Sequence, residues 1–133
     1  MKMNFTGQLG KKELFELYEL SDIGIMPSFH EQCSYVAIEM MMHALPIIGS
    51  TSTGLKEMIE DGVSGFHIPV IEYENKTEID VDLFAEKMLY LLQNPKERQR
   101  MGQNNRKRYE FHYSMSLFRN NMLNLYQSLY DNC

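Results

Sequence analysis

Short apolar runs alternate with helically spaced apolar positions over the first 70 residues. Candidate strands cover residues 3–6, 23–26, 46–49 and 65–70, and the middle two are almost wholly apolar, as strands buried on both faces of a parallel sheet are. Between the first two, residues 11–20 set Leu14, Leu17, Tyr18 and Leu20 against Lys12, Glu13, Glu16 and Glu19, the pattern of an amphipathic crossover helix. Residues 34–44 are apolar at nearly every position except Glu39 and His43, which predicts a largely buried helix. Residues 54–60 form a third, short helix closed by the turn signal Asp61-Gly62. Residues 1–71 therefore read as β/α units of an α/β, Rossmann-like three-layer domain with a short parallel sheet of about four strands.

From residue 72 the character changes. A polar loop at residues 72–78 leads into a helix over 81–93 with Leu83, Phe84, Met88, Leu91 and Leu92 facing inward. Asn94-Pro95 breaks it and opens the next helix, and a final helix covers 114–130 with an apolar stripe of Phe118, Met122, Leu125 and Leu129. Residues 72–133 are thus mainly helical, and nothing marks a linker or a repeat, so residues 1–133 read as a single domain.

Composition narrows the function. The 13 Lys and Arg against 18 Asp and Glu leave a formal charge of −5, which argues against nucleic acid as a partner. Cys33 and Cys133 stand far apart with no CxxC and no His cluster, so neither a disulfide framework nor a metal site is expected and a reducing, cytoplasmic compartment is. Neither a secretory leader nor a membrane-spanning run is recognisable.

The chemistry concentrates in residues 27–39, which run from a strand's C-terminal end through a loop into the buried helix, where ligands bind in parallel α/β sheets. The helix's first amides, around Tyr35, Val36 and Ala37, lack intrahelical partners and carry the positive end of the helix dipole, a receptor for phosphate. Glu31 precedes them and Glu39 follows about 7 Å along the helix axis, so an extended nucleotide-sugar could be gripped at its sugar by Glu31, at its phosphates by the amides and at its ribose diol by Glu39.

Glu31, seven intervening residues and Glu39 at this junction resemble the donor-binding motif of the retaining GT-B glycosyltransferases of family 4, also called group 1. The neighbours agree: Pro27-Ser28 is similar to the family's proline-serine turn, His43-Ala44-Leu45-Pro46-Ile47-Ile48 to its strand entry, Gly54-Leu55-Lys56-Glu57 to its glycine-x-x-Glu element, and residues 60–66 to its acidic-glycine-x-x-glycine lead. The resemblance implies that Glu31, Cys33 and Ser34 contact the donor sugar, that the main chain of Tyr35 and Val36 receives the diphosphate, and that Glu39 binds the ribose. Gln32-Cys33-Ser34-Tyr35 departs from the family's glycines and aromatic after the first Glu.

By the same resemblance the chain is the last two-thirds of a C-terminal donor-binding domain, without the acceptor domain or the Arg/Lys pair that neutralises the diphosphate. The intact enzyme is then expected to move a sugar from a UDP- or GDP-linked donor to a saccharide or lipid-linked acceptor, in polysaccharide or glycolipid synthesis. It would need no metal or other cofactor and would work in the cytoplasm, with peripheral attachment to the membrane's inner face. This chain alone is expected to be inactive and to form a homo-oligomer through its open sheet edge. The rival reading is a non-catalytic sugar-nucleotide-binding or scaffolding module.

Other features have plainer readings. Met40-Met41-Met42 reads as core packing, His30 and His43 as structural, and the basic run from Lys96 to Arg108 as a solvated face. Thr51-Ser52-Thr53-Gly54 reads equally as an anion nest or as helix N-capping.

Overall fold

A computed structural model describes residues 2–131, which leaves Cys133 outside the described residues. The chain runs α1 (Lys11–Leu20), β1 (Gly24–Met26), α2 (Tyr35–Met42), β2 (Ile47–Ser50), α3 (Thr53–Met58), β3 (Gly65–Ile68), β4 (Val70–Tyr73), β5 (Lys76–Ile79), α4 (Val81–Gln93), α5 (Pro95–Arg108), a π-helical turn (Tyr109–Tyr113) and α6 (Met115–Asp131). β1, β2 and β3 form a parallel sheet in that order, with Ile25 beside Ile48 and Ile48 beside Phe66.

Two-residue alternation divides the sheet between two cores. Met26 and Ile47 face α2 and α3, where they pack with Ala37, Met41, Leu55 and Ile59. Ile48 and Ile68 face the other way and meet Phe84, Leu91 and Met101 of α4 and α5. The central strand is wholly buried, which is why it carries no charged side chain and why its one polar residue, Ser50, is hydrogen-bonded. Met41 is completely buried within the methionine run, in keeping with core packing.

Backbone capping locks these layers. α2 ends with the Ala44 amide on the Met41 carbonyl and the Leu45 amide on the Met40 carbonyl, with Ala44 itself in the left-handed region at φ 56°. Asn105, fully buried, donates to the carbonyls of Leu45 and Ser64 at 2.7 and 2.8 Å and so ties α5 to the entries of β2 and β3.

The basic run of α5 is more than a solvated face. Arg106 donates to the Met42 carbonyl at the end of α2, Arg108 to the Glu57 carbonyl of α3 at 2.7 Å, Arg98 to the Leu91 carbonyl of α4 at 3.1 Å, and Arg100 to the Gly62 carbonyl at 3.0 Å. Helix ends leave carbonyls unpaired, and guanidinium groups from one helix satisfy them on three others.

Three expectations are corrected. Residues 3–6 form no strand: Met3 and Phe5 are exposed, and two apolar side chains do not hold an extended segment that lacks a pairing partner. The parallel sheet accordingly has three strands, not about four. Residues 72–78, read as a polar loop, belong to the antiparallel hairpin β4–β5, in which Glu72 pairs with Thr77 and Tyr73 with Lys76. The hairpin lies on the surface, with only Val70 of β4 and Thr77 and Ile79 of β5 partly covered, so its composition is that of a loop. In addition, Leu17, Leu20 and Leu92, expected to face inward, are exposed among the described residues.

Candidate functional site

The loop between β1 and α2 is held from beneath by main-chain and hydroxyl contacts. Ser50, at the end of the buried central strand, donates its hydroxyl to the Ser28 carbonyl. The Gly54 amide, at the start of α3, donates to the Glu31 carbonyl at 2.8 Å. A Cβ on Gly54 would overlap the Gln32 carbonyl oxygen, so glycine is what lets α3 come this close to the loop. Thr51 accepts from the Val70 amide at 3.0 Å, which draws the β4–β5 hairpin to the same end of the sheet.

These contacts enclose a cavity of about 290 Å³ at the C-terminal ends of the strands, lined by His30, Glu31, Gln32, Thr51, Ser52, Thr53, Val70 and Glu72. Ser52 occupies the N-cap position of α3 without a side-chain capping bond, and the Thr51 and Gly54 amides are already paired with main-chain carbonyls. The Ser52 hydroxyl lies 3.2 Å from the Ser50 hydroxyl, and Thr51 holds the hairpin. Val70, expected at the end of the strand 65–70, and Glu72, expected in a loop, enter the cavity wall from the β4–β5 hairpin.

At the start of α2, Ser34 is buried and its hydroxyl accepts from the Ala37 amide at 3.2 Å. The same buried hydroxyl donates to the Met26 sulfur at 4.0 Å, so the side chain is engaged within the fold. The Ile38 amide binds the Ser34 carbonyl, so the first turn leaves the Tyr35 and Val36 amides as those without an intrahelical acceptor. The side chains of Tyr35 and Val36 are exposed, and Cys33 is an exposed free thiol.

Glu39, one turn further along α2, does not line that cavity. It accepts a hydrogen bond from the Tyr18 phenol of α1 at 3.4 Å. Burial, and then the charge and hydrogen bond of Glu39, push the Tyr18 hydroxyl up to about 12. His43 packs its ring against Phe15 and Tyr18 at centroid distances of 5.0 and 5.5 Å, and its buried Nε2 has no hydrogen-bond partner among the described residues. Tyr18 appeared in the sequence only as part of an inward face. A phenol on such a face carries a polar tip that needs a partner, and that was the available signal. Among the described residues, no group of three or more His, Cys, Asp or Glu converges as a metal-ligand set, and no helix is long and apolar enough to cross a membrane.

The family described as "Glycosyl transferases group 1" matches residues 1–108. The chain belongs to the group 1 glycosyl transferases. Among similar proteins, the spore coat protein SA of Bacillus subtilis is 31% identical over 117 residues, which are 87% of this chain and 29% of that protein. The alpha-D-kanosaminyltransferase of Streptomyces kanamyceticus is 23% identical over 128 residues, 96% of this chain and 31% of that enzyme. Sucrose-phosphate synthase from Thermosynechococcus elongatus superposes with a TM-score of 0.82 at 25% identity, over 98% of this chain and 31% of its own. Anabaena HepE, solved with UDP, superposes with a TM-score of 0.70 at 16% identity, over 85% of this chain and 29% of its own. The fold is that of a GT-B glycosyltransferase, and this group 1 chain spans about three-tenths of the length of these relatives.

Proposed function

We propose that this chain is the nucleotide-sugar-binding part of a retaining glycosyltransferase that carries a sugar from a UDP- or GDP-linked donor to a saccharide or lipid-linked acceptor. The observation that carries the reading is the capping of α2: Ser34 takes the Ala37 amide and leaves those of Tyr35 and Val36 open, within the same loop-to-helix turn as Glu31. HepE, of the same fold, is solved with UDP and with UDP-glucose.

In this reading the Tyr35 and Val36 amides, with the positive end of α2 behind them, bind the diphosphate and stabilise the charge it gains as the sugar leaves. Glu31 accepts hydrogen bonds from sugar hydroxyls beside the main chain of Cys33 and Ser34, and Glu39 accepts them from the ribose diol. Amides and a dipole do this work without a metal. The site is half of an enzyme: the acceptor and the cations that complete diphosphate neutralisation belong to other parts of the intact protein, which works at the cytoplasmic face, so the chain alone transfers nothing.

The test is calorimetric titration of UDP and GDP into the wild type and into Glu39→Gln. A carboxylate on a diol supplies charge-assisted bonds worth about 1.5–3 kcal/mol each, so the variant should lose about tenfold or more in affinity. Equal affinity would make Glu39 structural and overturn its role.

A further inference from the structure

The contact between α1 and α2 supplies a residue that the motif does not contain. Glu39 is partly buried and can only accept hydrogen bonds, so the direction in which its carboxylate points depends on the donors around it. The Tyr18 hydroxyl donates to Oε2 at 3.4 Å. That leaves Oε1 and the remaining lone pairs of Oε2 for a ligand.

Tyr18 is itself immobilised. It is 6% exposed, and the rings of Phe15 and His43 flank it at 6.4 and 5.5 Å, so the phenol cannot swing out to water without breaking a cluster of three tilted and edge-on rings. Its hydroxyl remains a donor throughout the physiological range because burial and the neighbouring carboxylate both oppose its ionisation. A neutral donor on a fixed ring orients a carboxylate while leaving its charge intact. An Arg or Lys at the same place would compete with the ligand for that charge.

We propose that Tyr18 is the positioning residue for Glu39 and thereby sets how strongly the site prefers a ribonucleotide over one lacking the ribose diol. The inference rests on the reading of Glu39 as the ribose-binding group and extends it to a residue on another helix.

The experiment compares Kd for UDP and GDP with Kd for their 2′,3′-dideoxy counterparts, using the wild type, Tyr18→Phe, Glu39→Gln and the double variant. The wild type should prefer the diol, and Tyr18→Phe should shrink that preference by about threefold to tenfold, the range of one hydrogen bond's net worth. The dideoxy affinity should not change, and Tyr18→Phe should have no effect in the Glu39→Gln background. Equal weakening of both ligands would make Tyr18 merely structural, and an unchanged preference would show that it orients nothing. Either result overturns the proposal. Loss of folding in Tyr18→Phe, which keeps the buried ring, would assign the hydroxyl to the fold and overturn it too. A wild type that binds diol and dideoxy nucleotides alike contradicts the ribose role of Glu39 itself, a failure visible before any change at Tyr18.

Discussion

The amide of Gly54 lies 2.8 Å from the carbonyl of Glu31, and this bond joins the start of α3 to the loop that precedes α2. It sets the height of the loop above the sheet, because any Cβ on residue 54 would collide with the Gln32 carbonyl.

Gly54→Ala should therefore act on the loop and on stability together. Backbone cannot yield as a flexible side-chain tip can, so the substitution should cost about 1–3 kcal/mol, as overpacking in a fitted site does. Thermal unfolding checks the cost, and chemical shifts at Glu31 and Gln32 check its location. An unchanged midpoint with unshifted loop amides would contradict the close approach.

Ala44→Gly should stabilise the chain. Ala44 follows the last turn of α2 with φ 56°, a conformation that costs an L residue about 1 kcal/mol and costs glycine little. The gain is partly offset by the freer unfolded chain, which leaves about 0.5 kcal/mol and a midpoint higher by about 1–3 °C. A lower midpoint would show that the Ala44 methyl contributes more packing than its backbone conformation costs.

How legible these features were depended on what pays for each element's burial. β2 and the inner faces of α2 and α4 were plain in the sequence because Ile47, Ile48, Met41, Phe84 and Leu91 enter the two cores. The β4–β5 hairpin was hidden because it buries almost nothing, and residues 3–6 read as a strand because Met3 and Phe5 alternate without a partner to pair with. At the site, the open amides of Tyr35 and Val36 follow from the helix start read in the sequence, while Glu31 and Glu39 stand out there by their spacing and their resemblance to the family motif. The Tyr18 contact and the Glu72 wall could not, since both depend on which elements the fold brings together. The arginines of α5 are of the same kind: a charge pattern does not reveal that its carriers cap other helices.

Self-association should follow from two uncovered surfaces. Among the described residues β1 pairs with β2 alone, so one edge of the sheet is open, and Ile25 and Phe29 there border a groove of about 800 Å³ against α4 and the hairpin. α6 exposes Phe118, Leu125 and Leu129 and buries none of its residues. Open edges and apolar helix faces recruit further copies. Light scattering on a sizing column at micromolar concentration should give at least twice the 15.7 kDa chain mass, and a monodisperse monomer would contradict this.

The central claim is that the first turn of α2 receives the diphosphate of a nucleotide-sugar. Amide-resolved NMR during titration with UDP, GDP and inorganic diphosphate tests it most directly. The account predicts the largest saturable shifts at the amides of Tyr35 and Val36 with all ligands that bind, and additional shifts around Glu39 only with the nucleotides. Saturable binding that leaves Tyr35 and Val36 unmoved, or no binding of any of the three at millimolar concentration, would contradict it.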